Sequence, residues 1–260
     1  MKKIALIGST GSIGRQVVSV VLRYPERFQI VAAAANANAS LFAEQIARLR
    51  PAFAVLRRES AARALPPAPP GTRFAAGEEA FEEACAFADA DIIFVAVSGF
   101  AGLKASLLAL GAGKDVALAN KESLVVGGDL VLKMAEEKGA KILPVDSEHS
   151  AIWQCLHFDR AAKYRRILLT ASGGALRDVP LNKLEKMTAK EALAHPNWDM
   201  GAKITVDCAT MLNKGFEVIE AMHLYGAPLE RIQVLVHRES IVHSMVEFED
   251  GAVLAQMGVP

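Results

Sequence analysis

The sequence predicts an α/β protein: a doubly wound parallel sheet over residues 1–149, followed by an α+β unit over residues 150–260. Three observations carry this. Short β-branched runs alternate with helix-like stretches through the first part, the pattern of a parallel sheet covered on both faces. The 260 residues are 52% hydrophobic and 22% charged, enough for an ample core and unlike a disordered chain. After about residue 150 the alternation stops, and strand-like runs follow a long polar segment.

The elements follow in order. Strands are expected at 4–7, 29–33, 53–56, 91–97, 116–119 and 142–143, and helices at 12–22, 41–49, 78–86 and from about Phe100. The Pro-rich stretch 66–71 reads as loop. In the second unit, 166–171 is a strand. Residues 172–202 form a polar flap with short helical portions near Leu181 and Ala189. One helix is expected from about Asp207 to Leu224, then strands at 232–236, 241–248 and 252–257. The chain stops just after a strand, at Val259-Pro260, which reads as a truncation.

Composition excludes several classes. A net charge of zero offers no basic footprint for nucleic acid. No stretch approaches the roughly 20 apolar residues of a membrane span, and the N-terminal apolar run is too short for a signal peptide. Cys85, Cys155 and Cys208 form no CxxC pair, which suits a reducing cytoplasm.

Gly8-Ser9-Thr10-Gly11-Ser12-Ile13-Gly14 follows the first strand and opens the first helix. Glycines there let backbone approach a pyrophosphate, and the helix start offers N–H groups. This makes the first unit Rossmann-like. The second strand ends in Ala35-Asn36-Ala37-Asn38 with no acid, which favours NADP over NAD. Arg57 and Arg58, after the third strand, are candidate partners for a 2′-phosphate. Asn120-Lys121-Glu122 ends the fifth expected strand, on the edge that lines the ligand crevice of such sheets.

Asp146 and Glu148 flank Ser147 where a buried strand ends. In extended chain, residues two apart share a side, and two carboxylates there repel unless a cation or proton lies between them. Oxygen ligands without cysteine favour Mg²⁺ or Mn²⁺, with Co²⁺ a further candidate. Solvated acids beside a capping Ser147 would give the same pattern. His149 reads as structural. Asn213, Lys214 and Glu217 fall on one arc of a helix and bring a third acid. His195-Pro196-Asn197-Trp198-Asp199-Met200-Gly201 sits in the flap, where Trp198 suits either a lid or a tether.

GSTGSIG, NKES, PVDSEHSA, TASGG, HPNW and ATMLNKG, in this order, resemble the deoxyxylulose phosphate reductoisomerases of the non-mevalonate isoprenoid pathway, over the whole chain. The resemblance implies NADPH and a divalent metal as cofactors and a phosphorylated sugar as substrate. It further implies a homodimer, and a C-terminal helical domain that this chain lacks. Thr10, Gly11, Ser12, Ile13, Asn36, Ala37, Asn38, Asn120, Glu122 and Gly201 match its NADPH contacts. Asp146, Glu148 and Glu217 match its metal ligands. Lys121, Ser147, Glu148, Ser172, His195, Cys208, Asn213, Lys214 and Glu217 match substrate contacts, with Lys121, Glu148 and His195 implied in catalysis. Two positions depart: Ala37 stands where many members carry a base, and Cys208 replaces a serine expected on the substrate phosphate. Cys208 is expected at the start of the 207–224 helix, one to two turns before Lys214; dipole and ammonium both lower a thiol's pKa, and a buried, inert thiol is the alternative. The reaction implied is isomerisation by carbon–carbon cleavage and rejoining, then reduction by hydride. A dehydrogenase of another phosphorylated substrate, or an inactive nucleotide-binding remnant, are the alternatives.

Overall fold

The computed structural model describes residues 1–158 and 162–259; the reading of the chain end at Pro260 lies outside them. Two compact units divide at Val145/Asp146, four residues before the expected boundary.

The first unit is a seven-stranded parallel sheet in the order β4-β3-β2-β1-β5-β6-β7. Its strands are β1 (Lys2–Ile7), β2 (Phe28–Ala35), β3 (Phe53–Leu56), β4 (Arg73–Ala76), β5 (Ile92–Val95), β6 (Asp115–Leu118) and β7 (Ile142–Pro144). The helices are α1 (Ser12–Arg23), α2 (Ala39–Leu49), α3 (Glu59–Ala62), α4 (Glu78–Cys85), α5 (Ala101–Gly111) and α6 (Glu122–Lys138). Strand order reverses beside β1, and that reversal opens a crevice at the strands' carboxyl ends. Leu6, Ile30, Phe42 and Leu56 are fully buried, so β1 to β3 and α2 share one core. Small Ala32–Ala35 in β2 let the helices pack close. Cys85, at the end of α4, is buried, and burial pushes its thiol up to about 12.

The sequence reading missed β4, α3 and α6. Arg73–Ala76 is short and half-exposed, so it carries no apolar alternation; it forms by completing the sheet edge beside β3. In α6 the pair Gly127-Gly128 masks the helical pattern, and the helix kinks at Gly127. A Cβ at Gly127 would lie 2.8 Å from Leu103, so glycine there lets α6 approach α5.

The second unit carries a four-stranded sheet, β11-β10-β8-β9. Here β8 is Arg166–Ala171, β9 Ile232–Val236, β10 Val242–Glu247 and β11 Val253–Met257. β10 runs antiparallel to β8 and β11, while β8 and β9 are parallel. Helices α7 (Ser147–Cys155), α8 (Ala189–Ala192), α9 (Ala202–Ala209) and α10 (Leu212–Tyr225) complete it. Two expectations are corrected. The stretch 146–149 is not extended strand: α7 begins at Ser147. The single helix from Asp207 to Leu224 is two, broken at Met211, whose φ of 63° lies in the left-handed region. The flap holds a 3₁₀ turn at Leu181–Lys186 and α8, close to the helical portions expected, and a Thr188/Glu191 capping box starts α8.

Candidate functional site

In the first unit the glycine loop is built by close approach. Gly8 has φ +96°, and a Cβ there would meet Ala96 O at 2.7 Å; at Gly14 it would meet Gly8 O at 2.2 Å. Gln45 Nε2 donates to Ser9 O at 2.9 Å and pins the loop. Gly11 is the N-cap of α1, with no side-chain cap and no acid in the first turn. The first-turn N–H groups at Ser12 and Ile13 therefore lack a side-chain cap, beside half-buried Thr10. A cradle that a Cβ would fill, at the positive end of a helix, fits a pyrophosphate.

Beyond β2, Asn36 O accepts from Arg58 N at 2.9 Å. Asn38 Oδ1 caps α2 by accepting from Leu41 N at 3.2 Å. Ala37 presents only a methyl group. Arg57 is drawn away from this turn: its Nε and Nη2 donate to Glu78 at 2.6 and 3.0 Å. Just past β6, Asn120 Nδ2 lies 2.9–3.0 Å from three acceptors, Val97 O, Gly99 O and Glu122 Oε2, which share its two hydrogens. That carboxamide is held by protein groups, which leaves the backbone of Asn120 for other contacts. Lys121, 8% exposed, is the N-cap residue of α6.

The second unit brings three acids together. Asp146, Glu148 and Glu217 each place a carboxylate oxygen within 4.8 Å of the others. Asp146 caps α7 through Oδ1, which accepts from Ser147 N at 3.1 Å, and Glu148 lies in the first turn. A cap and a first-turn residue, not extended chain, thus aim both acids the same way. Lys214 Nζ donates to Glu148 Oε1 at 2.8 Å and to Glu217. Asn213 Nδ2 donates to Glu217 Oε1 at 2.5 Å, and Ser147 Oγ donates to Glu148. The helical arc read from residues 213, 214 and 217 is therefore present.

Burial pushes the Glu148 carboxyl up, but the Lys214 ammonium outweighs it and holds the group below the usual carboxylate range. Burial likewise pushes Lys214 down, and Glu217 and Glu148 together hold it above the usual ammonium range. The three carboxylates and one ammonium leave an excess of formal negative charge in a largely buried spot. All-oxygen donors with that charge fit a hard divalent cation.

Sequence reasoning missed Glu220. His149 is fully buried, with Nε2 3.1 Å from Glu220 Oε2, and Tyr225 Oη donates to its carbonyl at 2.5 Å. Burial pushes the imidazole down, yet the Glu220 charge holds it above its ordinary value. These contacts join α7 to α10, the helices that carry Glu148 and Glu217. The spacing of Glu220 three residues after Glu217 was the available signal.

In the flap, Ser172 Oγ lies 3.0 Å from His195 Nε2. His195 Nδ1 accepts from the backbone N–H groups of Asn197 and Trp198 at 3.2 and 3.0 Å. With Nδ1 an acceptor, the neutral ring carries its proton on Nε2 and donates to Ser172. Burial, aided by the Arg177 charge, holds His195 below its ordinary value. Its unfolded form therefore takes a proton first. The stability it contributes is full above about pH 6.5, the unfolded value, and is lost as pH falls through the folded one. Trp198 fluorescence is expected to report this loosening on acidification, since protonated Nδ1 cannot accept. A His195→Gln variant that retained the same pH transition would remove the imidazole as its cause. The Trp198 ring centroid sits 5.7 Å from that of His243 on β10, the arrangement of a tether.

Gly201 is the N-cap of α9, with open space where a Cβ would be. Gly173 and Gly174 both have positive φ, and a Cβ at Gly174 would meet Cys208 O at 2.1 Å. This turn lets β8 abut the end of α9. Cys208 sits in the last turn of α9, not at a helix start. The dipole there has the opposite sign, so the helix-start part of that expectation is corrected.

A doubly wound sheet with a glycine cradle defines the class of dinucleotide-binding oxidoreductases, here joined to a unit with a carboxylate cluster. The family model described as 1-deoxy-D-xylulose 5-phosphate reductoisomerase matches residues 4–128. The model of that enzyme's C-terminal domain matches residues 142–225. The chain belongs to the 1-deoxy-D-xylulose 5-phosphate reductoisomerase family. A relative of that name from Pelotomaculum thermopropionicum is 51% identical, over 100% of this chain and 68% of its own length. One from Anaeromyxobacter sp. (strain K) is 50% identical, over 100% and 67%. A crystal structure of DOX-P reductoisomerase in complex with NADPH, fosmidomycin and magnesium superposes with a TM-score of 0.93 at 38% identity, covering 100% of this chain and 67% of that one. The Zymomonas mobilis enzyme in complex with NADPH gives 0.89 at 44%, with the same coverage.

Proposed function

We propose that this chain converts 1-deoxy-D-xylulose 5-phosphate to 2-C-methyl-D-erythritol 4-phosphate, using NADPH and a divalent cation. The observation that carries the reading is the convergence of Asp146, Glu148 and Glu217 within 4.8 Å beside a buried ammonium. These three hold the cation; Thr10–Ile13 hold the pyrophosphate. The cation supplies Lewis acidity to a ketone and its neighbouring hydroxyl, and NADPH supplies hydride.

The protein's own groups set the geometry. Lys214 holds the Glu148 carboxyl below the usual range and aligns both Glu148 and Glu217, and Asn213 orients Glu217 from the other oxygen. Ser147 holds Glu148. His195, proton on Nε2, donates to Ser172 Oγ and so turns the Ser172 hydroxyl proton outward as a donor for an oxygen of an anionic substrate. Lys121 adds a cation for a substrate oxygen. The His195–Trp198 segment excludes water from the reacting carbonyls.

A cytoplasmic location is part of this proposal, supported by the buried thiols of Cys85 and Cys155, neither in a disulfide. No helix among the described residues is long and apolar enough to cross a membrane. A homodimer is supported by exposed Val234, Val236, Val253 and Met257 on the outermost strands of the second sheet. The test is turnover: purified chain, substrate, NADPH and Mg²⁺, with product identified by NMR. Formation of the erythritol phosphate supports the reading. Oxidation of NADPH on another phosphorylated substrate alone favours a different dehydrogenase, and no oxidation favours a binding remnant.

A further inference from the structure

In a doubly wound sheet the adenosine ribose lies at the carboxyl end of the second strand, and an NADP-binding site needs a cation there. The turn after β2 does not supply one. Ala37 has no donor side chain, and Asn38 is engaged as the cap of α2. Arg57 is held by Glu78, with its guanidinium carbon 4.6 Å from the centroid of the Phe81 ring. Arg58 differs. Its backbone N–H donates to Asn36 O at 2.9 Å, continuing the β2–β3 contact past the last paired residues, Ala35 and Leu56. Its side chain is exposed and forms no ion pair among the described residues. Glu59, the neighbouring acid, is directed toward Gly77: a Cβ there would lie 2.7 Å from Glu59 Oε1.

We propose that Arg58 is the residue that selects NADPH over NADH, by pairing its guanidinium with the 2′-phosphate. Anchoring of its backbone to Asn36 places the side chain beside the turn where Ala37 lacks a cation. The planar guanidinium then offers two parallel N–H donors to a phosphate. This rests on the dinucleotide reading above.

The test measures binding, not turnover. Calorimetric affinities for NADPH, NADH, 2′,5′-ADP and 5′-ADP are compared in the wild-type chain, Arg58→Ala, Arg58→Lys and Arg57→Ala. Arg58→Ala is expected to weaken both 2′-phosphorylated ligands by about tenfold or more, leaving NADH and 5′-ADP unchanged. The unchanged pair also reports that the variant is folded. Arg58→Lys is expected to recover part of the loss, and Arg57→Ala to retain the discrimination. Discrimination that survives Arg58→Ala, or that is lost in Arg57→Ala instead, overturns the assignment. A wild-type chain that binds neither dinucleotide would overturn the proposed function and this inference with it.

Discussion

Glu217→Gln is expected to lower turnover about a thousandfold while NADPH affinity stays at the wild-type value. The substitution keeps size and removes charge. It takes one of three charged oxygen donors from the cluster, where a cation's polarising effect is worth about 4 kcal/mol, or some three decades in rate. It also replaces one of the two acceptor oxygens, which serve Lys214 and Asn213 Nδ2, by an NH2 donor, so one of these two hydrogen bonds is lost. The glycine cradle belongs to the other unit, so dinucleotide affinity provides the internal control. Steady-state rates across a Mg²⁺ titration, with NADPH affinity measured alongside, check the result. Wild-type rates at ordinary Mg²⁺ would remove Glu217 from the metal site. Glu148→Gln is expected to behave the same way.

Lys214→Met is expected to destabilise the second unit by about 3–5 kcal/mol in the absence of divalent cations. Lys214 is 5% exposed and pairs with both Glu148 and Glu217. Methionine nearly preserves the volume but leaves the buried carboxylates facing one another without the ammonium. A divalent cation binds that charge, so Mg²⁺ is expected to stabilise the variant more than the wild-type protein. Thermal melts with and without Mg²⁺ measure both terms. If Mg²⁺ raised both melting temperatures equally, the ammonium and the cation would not be sharing the same carboxylates.

Most strands were legible because their signal is local. β3 and β8 fall where apolar runs place them, since a strand buried on both faces must be continuously apolar; β9, an exposed edge strand, is legible from its β-branched run alone. The glycine loop was legible for the same kind of reason: Gly8 and Gly14 mark places where backbone leaves no room for a Cβ. β4 was not, because a half-exposed edge strand forms only when β3 is already there to pair with. α7 was read as extended because Asp146 and Glu148 satisfy a period of two; the chain turns instead at Asp146, whose side chain caps the helix.

The sequence by itself determined the alternating first unit, the spacing of Asn213, Lys214 and Glu217 on one helical face, and the absence of an acid after β2. Each is set within a few residues, by steric limits on backbone or by the pitch of a helix. Only the tertiary structure decided which charges meet. Glu148 and Lys214 are 66 positions apart, and of the adjacent Arg57 and Arg58 one guanidinium pairs with Glu78 while the other side chain stays exposed, its backbone bound to Asn36 O. Burial makes such pairing matter: once water is excluded, a carboxylate's state follows its neighbours more than its own chemistry, and neighbours are fixed by packing.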